Sequence, residues 1–523
     1  MLHINFNPFS FLESKKYFMH DDKKYYVESE IGTLRKLIIH SPDGGIGKVI
    51  PSTFSDNLYD DIVHLKSMQK EYNHYVKLLL YFLDPEKIKY INKCQDTADE
   101  KVRAHCFIPG KKEYFNSDKV LEVQHLLEEI LKDESVKLRL ISAVCSYEES
   151  SHKTQQQLEA VDDNALLAKI LISGILPKSA SGLQEDQYIF PPVPNFIFTR
   201  DIGIMIKDHI LLSRMATTAR KRESLITKFL AMYFLFTEDT SKVMEVIEDS
   251  DFFLYEEVER KARFISIEGG DIMMIHPKHL LVGCSERTSS NAINEIIHTI
   301  FSKPLGIEKI SVIKIAKNRA QMHIDTIFTQ VKRNVWVLYG RYSENIIAAE
   351  NKVKQSYLRR LMHQPDLIGI EEPEVLQFYK SSTQLYKPDK DYSVDNKLSG
   401  IETLLKQISI EDYNCKAEDV KIIYSGGNEF PYDDREQWTD SCNVVALKEG
   451  VVIGYDRNDF TANSFRKNGF DVITTSDLFK KFEDGLDPQS LTDTLILLQS
   501  AELSRARGGS HCMSMPLLRD KLL

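Results

Sequence analysis

Four times along the chain an aspartate leads into an apolar strand, a polar turn and a second apolar strand. The stretches are DIGIMIKDHILLS from Asp201, DIMMIHPKHLLVGCS from Asp271, DTIFTQVKRNVWVLYG from Asp325 and DSCNVVALKEGVVIGYD from Asp440. Apolar runs separated by a few turn residues (here KDH, HPKH, KRN and KEG) predict β-hairpins. Three of them are followed by helical patterns, TTARKRESLITKFLAMYF, TSSNAINEIIHTIFS and TANSFRKNGF, the last running on into the apolar DVIT. The starts are 70, 54 and 115 residues apart, too irregular for a solenoid. A diverged unit of hairpin plus helix is predicted, with LRKLIIHSPDGG near the N-terminus as a weaker fifth copy. A single aspartate before a strand is an ordinary turn residue. Four of them predict units set around an axis, with the aspartates meeting at the centre.

Two stretches interrupt the pattern. Residues 95–185 are rich in helix formers (VLEVQHLLEEILKDE, QQQLEAVDDNALLAKILISGIL) and predict an inserted helical subdomain. Residues 345–420 hold a further helical stretch and then the polar tract KSSTQLYKPDKDYSVDNK, which reads as an exposed loop.

Composition narrows the class. The 523 residues are 42% hydrophobic and 28% charged, as in an ordinary globular protein. A formal net charge of −10 argues against a nucleic-acid partner, which calls for a basic face, and leaves a cationic small molecule open. Cysteines 94, 106, 145, 284, 415, 442 and 512 stand apart with no C-x-x-C, which favours free thiols in a reducing compartment. The opening MLHINFNPFSFLESKKYF shows no signal peptide pattern. The most apolar stretches, VKLLLYFL and ALLAKILISGIL, are too short to span a bilayer. A cytoplasmic protein with no membrane partner is expected.

Short polar clusters flank the aspartates: NFIFTRD, IEGGD, MHID, SERT, REQWTD and, close to the C-terminus, GGSHC. If they converge, they bring together Asp201, Glu268, Asp271, His323, Asp325 and Cys512. That set has one nucleophile, one acid–base group and an excess of carboxylates. Carboxylates raise a thiol pKa, whereas a cysteine hydrolase needs it lowered. A cationic substrate resolves the conflict. A guanidinium is planar, permanently charged and pairs bidentately with carboxylates, and its charge would help the thiol ionise. Taken singly, each residue has a plainer reading. His323 alone reads as a hydrogen-bonded core histidine, Glu268-Gly269-Gly270-Asp271 as a turn, and Arg220 and Arg287 as solvated or salt-bridged cations. PDGGIGKV near residue 45 fails the P-loop pattern, and no metal-ligand spacing is visible.

In this order the motifs resemble the arginine deiminases of the guanidine-modifying superfamily. They are Phe198-Thr199-Arg200-Asp201, Glu268-Gly269-Gly270-Asp271, His323-Ile324-Asp325-Thr326 and Cys512-Met513-Ser514-Met515-Pro516, joined by Arg435-Glu436-Gln437-Trp438-Thr439-Asp440 and Gly454-Tyr455-Asp456-Arg457-Asn458. The resemblance implies an α/β fold, the pentein: a five-bladed α/β propeller of ββαβ-type repeats. Residues 1–94 would begin it, 95–185 be the inserted helical subdomain, and 186–523 the remainder, with an extra insertion near 345–420.

The same resemblance implies hydrolysis of L-arginine to L-citrulline and ammonia through a covalent S-alkylthiouronium on Cys512, without cofactor or metal. His323 would be the general acid and base. Asp201 and Asp325 would bind the guanidinium, and Glu268 would support that site, with Asp271 among the substrate-binding residues. Asn195, Arg220 and Arg287 would hold the α-carboxylate, Phe198 would pack on the aliphatic stem, and Arg507 matches a mobile arginine at the entrance. A homo-oligomer, dimer or tetramer, is implied as well. Ser510, Ser441-Cys442 and Ile202 depart from common family residues without removing a chemical group. The alternatives are an amidinotransferase of the same superfamily and a non-catalytic pentein that binds partners.

Overall fold

In the computed structural model, the residues described are 24–53, 57–95, 100–176, 187–247, 255–344, 373–380 and 396–522. All four predicted hairpins form: Gly203–Ile206 with His209–Leu212, Ile272–His276 with His279–Cys284, Phe328–Lys332 with Val335–Leu338, and Val445–Lys448 with Val451–Tyr455. Their turns are tight, and Lys207 and Gly450 take the positive φ that such turns require.

Each hairpin gains a parallel third strand: Val243–Met244, Lys309–Lys314, Lys421–Tyr424 and Thr494–Leu498 in turn. A parallel partner needs a long crossover, usually helical. Helices Lys221–Leu230, Ser290–Ser302 and Asp459–Lys467 lie in three of these crossovers, where the sequence predicts them. Ser289 caps the second of these, its side chain accepting from the Ala292 amide.

A fifth sheet repeats this order, and its hairpin is split between distant parts of the chain. Leu34–Ile39, the weak fifth copy, pairs antiparallel with Met515–Arg519 and parallel with Val120–Glu122. With this split sheet counted as the first and the four hairpin sheets as the second to fifth in chain order, strands of successive sheets touch. Met515–Arg519 contacts Gly203–Ile206, which contacts Ile272–His276, and Phe328–Lys332 contacts Val445–Lys448, which contacts Leu34–Ile39. Turns Gly269–Asp271 and Ile324–Thr326 meet between the third and fourth sheets. The protein is therefore a mixed α/β structure of several sheets.

Val120–Glu122 stands inside the helix-rich range and serves the first sheet. Helices Val123–Ile130, Glu134–Tyr147, His152–Glu159 and Asn164–Ser173 follow it. Their apolar faces share a buried cluster with the second sheet, including Leu127, Leu140, Leu171 and Ile204. Strand Glu374–Tyr379 widens the third sheet, followed by Asn396–Leu398 and the helix Ile401–Gln407. The helical stretch and most of the polar tract expected within 345–420 lie outside the described residues. Among the described residues, no helix is long and apolar enough to cross a membrane.

Leu517 is fully buried in the strand that follows Cys512. Leu517→Ala should cost about 2–5 kcal/mol, read as a lower thermal melting midpoint, with site activity lost below the temperature of global melting.

Candidate active site

The leading aspartates sit at the starts of inner strands, and the backbone brings them together. Asp201 precedes Gly203–Ile206, Asp271 abuts Ile272–His276, Asp325 precedes Phe328–Lys332 and Asp440 precedes Val445–Lys448. All four are buried. Cys512 stands three residues before Met515–Arg519, so the fifth inner strand delivers the thiol to the same place.

Cys512 Sγ lies 3.6 Å from Asp325 Oδ2. The Asn443 side-chain amide donates to the sulfur at 3.1 Å, while its oxygen accepts from the Cys512 backbone N–H at 2.9 Å. His323 bonds through Nε2 to Glu268 Oε2 at 3.0 Å, and its Nδ1 stands 3.7 Å from Asp201 Oδ1. Glu268 also accepts from the Ala216 backbone N–H. Asp271 faces the other way, accepting from Ser285 Oγ and from the Ile324 backbone N–H, and so holds the turn that carries His323 and Asp325.

A narrow cavity is lined by Asn195, Phe198, Asp201, Arg220, Glu268, Arg287, His323, Arg507 and Cys512 among others. Asp325 touches the sulfur from outside that lining, and Asp271 supports from behind. Asn195 donates to the Asn57 carbonyl. Arg507 has φ +65° and lays its guanidinium 3.5 Å from the Trp438 ring centre, donating to the Trp438 carbonyl. Arg287 is 2% exposed, and its Nε has no hydrogen-bond partner among the described residues.

Arg220 pairs with carboxylates of the site itself. Its Nη1 donates to Asp201 Oδ2 at 2.6 Å and stands 3.7 Å from Glu268 Oε2. Asp201, Glu268 and His323 offer ligand atoms within 4.8 Å of one another, a set that could hold a metal ion. The Arg220 cation already occupies the acidic side of that set.

Two glycines before the cysteine are there for close approach. A Cβ on Gly508 would fall 2.3 Å from the Phe198 ring, and one on Gly509 2.5 Å from the Asn443 carbonyl oxygen. Both are distances that real side chains do not make. They let the cysteine loop lie against Phe198 and Asn443.

Electrostatics follow from this crowding. Burial, then Asp325, Asp201 and Asp440, push the Cys512 thiol well above its usual range, and the Asn443 amide opposes them. Burial disfavours the His323 imidazolium, yet Asp201, Glu268 and Asp271 together hold it protonated above its ordinary range. Burial would raise Glu268, but His323 and Arg220 keep it ionised. The resting site thus pairs a neutral thiol with an imidazolium.

Sequence reasoning passes over Asn443, His511 and Glu30. His511 bridges Asp325 Oδ2 at 2.9 Å and Glu30 Oε2 at 3.3 Å, and Arg200 pairs with Glu30 at 2.7 Å. The adjacent Cys512 and Asp201 are the available signals for His511 and Arg200. Asn443 is three residues from a leading aspartate. Nothing local marks Glu30.

The family model described as arginine deiminase matches residues 56–519. The chain belongs to the arginine deiminase family. Among curated relatives, an arginine deiminase of Mycoplasma capricolum is 27% identical over 506 residues, covering 96% of this chain and 98% of its own. Another, from Latilactobacillus sakei, is 25% identical over 508 residues, covering 95% and 98%. Among solved structures, an amidinotransferase from Microseira wollei in the saxitoxin biosynthetic pathway has a TM-score of 0.45 at 11% identity, covering 95% of this chain and 98% of that one. For an arginine deiminase family member, the geometry makes a prediction about the thiol.

Because its pKa is raised, the thiolate fraction of Cys512 is small at neutral pH and grows as pH rises. Iodoacetamide labelling of the Cys512 peptide, followed by mass spectrometry, should be slow at pH 7 and still climbing at pH 9, the ordinary thiol value. Asp325→Asn should raise the rate at pH 7–8. A plateau below pH 8 in the unaltered protein would contradict the site described.

Proposed function

We propose that this protein is an arginine deiminase, hydrolysing L-arginine to L-citrulline and ammonia. The observation that carries the reading is a buried thiol enclosed by carboxylates, which repel its ionisation until a cation arrives. A unit positive charge about 4 Å from the thiolate is worth about 4 kcal/mol at an effective dielectric constant of about 20. That lowers a thiol pKa by roughly three.

In this reading Asp201 and Asp325 grip the guanidinium and keep it protonated, so its central carbon stays electrophilic. The bound cation lowers the Cys512 pKa, the thiol proton leaves to solvent, and the thiolate attacks that carbon and forms a C–S bond. The C–N bond then breaks, with His323 giving its proton to the departing ammonia and leaving the S-alkylthiouronium. Neutral His323 next takes a proton from water. The hydroxyl adds to the carbon, the C–S bond breaks with its electron pair going to sulfur, the added hydroxyl's proton passes to the thiolate, and citrulline leaves. Glu268 holds the His323 ring throughout. Asn195, Arg220 and Arg287 receive the α-carboxylate, Phe198 packs on the stem, and Arg507 gates the entrance. No step draws on a cofactor or metal.

The fold part of the proposal is a five-bladed propeller, each sheet being one blade. The shared antiparallel-then-parallel order and the succession of neighbouring inner strands support it. Residues 1–94 and 186–523 form the catalytic unit, with 95–185 as the helical insertion and the region near 345–420 as a second one. A cytoplasmic location and a homo-oligomer belong to the same reading, the latter testable by light scattering.

Purified protein incubated with L-arginine and a chelator should release citrulline and ammonia in equal amounts, and Cys512→Ser should release neither. Transfer of the amidino group to added ornithine or glycine, without ammonia, would favour the transferase instead.

A further inference from the structure

Arg220 is itself a guanidinium, and it is bonded to a carboxylate that the proposed reaction assigns to the substrate's. Its Nη1 makes a 2.6 Å charge-assisted bond to Asp201 Oδ2, one of the two carboxylates meant to grip arginine. The second Asp201 oxygen is buried with no hydrogen-bond partner among the described residues and faces the His323 ring at 3.7 Å. A substrate guanidinium that takes Asp201 Oδ2 would therefore have to displace Arg220.

The rest of Arg220 is held by a different carboxylate. Glu223, one helical turn on and fully buried, accepts from Nε at 3.0 Å and stands 2.9 Å from Nη2. Helix Lys221–Leu230 fixes Glu223, so Arg220 stays anchored if the bond to Asp201 is lost. Nη2 also donates to the Asn195 carbonyl at 3.2 Å, toward the residues assigned to the α-carboxylate. Arg287 lines the same cavity, its Nε without a hydrogen-bond partner among the described residues.

We propose that Arg220 is the resting occupant of the guanidinium subsite, and that the substrate's α-carboxylate opens the subsite by drawing Arg220 off Asp201. Recognition at one end of the substrate then controls admission at the other. A guanidine without a carboxylate has to break a buried charge pair and offers Arg220 nothing in exchange. This inference rests on the hydrolase reading above.

The test compares arginine with agmatine, its decarboxylated analogue, by ammonia release. In Arg220→Met, kcat/KM for arginine should fall on the order of 100-fold, the usual scale for losing one partner of a buried charge pair. For agmatine it should rise at least several-fold over the unaltered protein. If agmatine turnover is unchanged or falls, Arg220 is a carboxylate clamp only and the proposal is wrong. A second measurement needs no variant: with the unaltered protein, propionate supplies a carboxylate separately and should speed agmatine hydrolysis. Inhibition or no effect counts against the proposal. Arginine turnover by the unaltered protein is the control. Its absence would strike the hydrolase reading, whereas its presence with agmatine unmoved strikes only the role of Arg220.

Discussion

A site made for a cation has to bury its carboxylates before the cation arrives, and a buried carboxylate is costly unless something answers its charge. Most of the architecture around Cys512 answers that requirement. Arg220 covers Asp201 and approaches Glu268, His323 sits between the same two carboxylates, and His511 closes on Asp325. A layer beneath, Arg200 pairs with Glu30, which meets the far side of His511. The network alternates in sign from the cavity into the interior. Arg200 is held by Glu30 and the Gly269 and Ile272 carbonyls, and Arg220 by Asp201, Glu223 and the Asn195 carbonyl, so each draws partners from separate segments of the chain.

The same alternation gives the thiol its character. Where other cysteine nucleophiles are kept ionised by a neighbouring cation, Cys512 has carboxylates as its nearest charged neighbours and one amide donor, Asn443. Reactivity is then conferred by the ligand. Such a cysteine is shielded from adventitious electrophiles and oxidants for as long as the cavity holds no substrate.

The repeating hairpins are legible in the sequence because each is local: two apolar runs and a turn fit within some fifteen residues. LRKLII reads only as a weak copy because its antiparallel partner is Met515–Arg519, and no short-range pattern can announce a pairing across the whole chain. Cys512, His323 and the aspartates are legible because their chemistry is unusual for their surroundings. Asn443 and His511 are not, since an amide or imidazole beside a thiol looks like any buried polar residue until the facing strand is known. Arg220 shows a further limit. Its identity and neighbours in sequence are plain, yet which carboxylate its long side chain reaches depends on a helix and two sheets meeting.

The split first sheet has a consequence for how reactivity arises during synthesis. Arg35 and Asp520 pair across 485 positions, and closing so long a loop belongs to the late, slow part of folding. A nascent chain that has emerged only as far as residue 500 already carries all four leading aspartates, with neither the sulfur nor the strand that seats it. The scaffold is made first and the reagent last. A truncated translation product therefore carries no nucleophile and is unable to consume the amino acid on which translation itself depends.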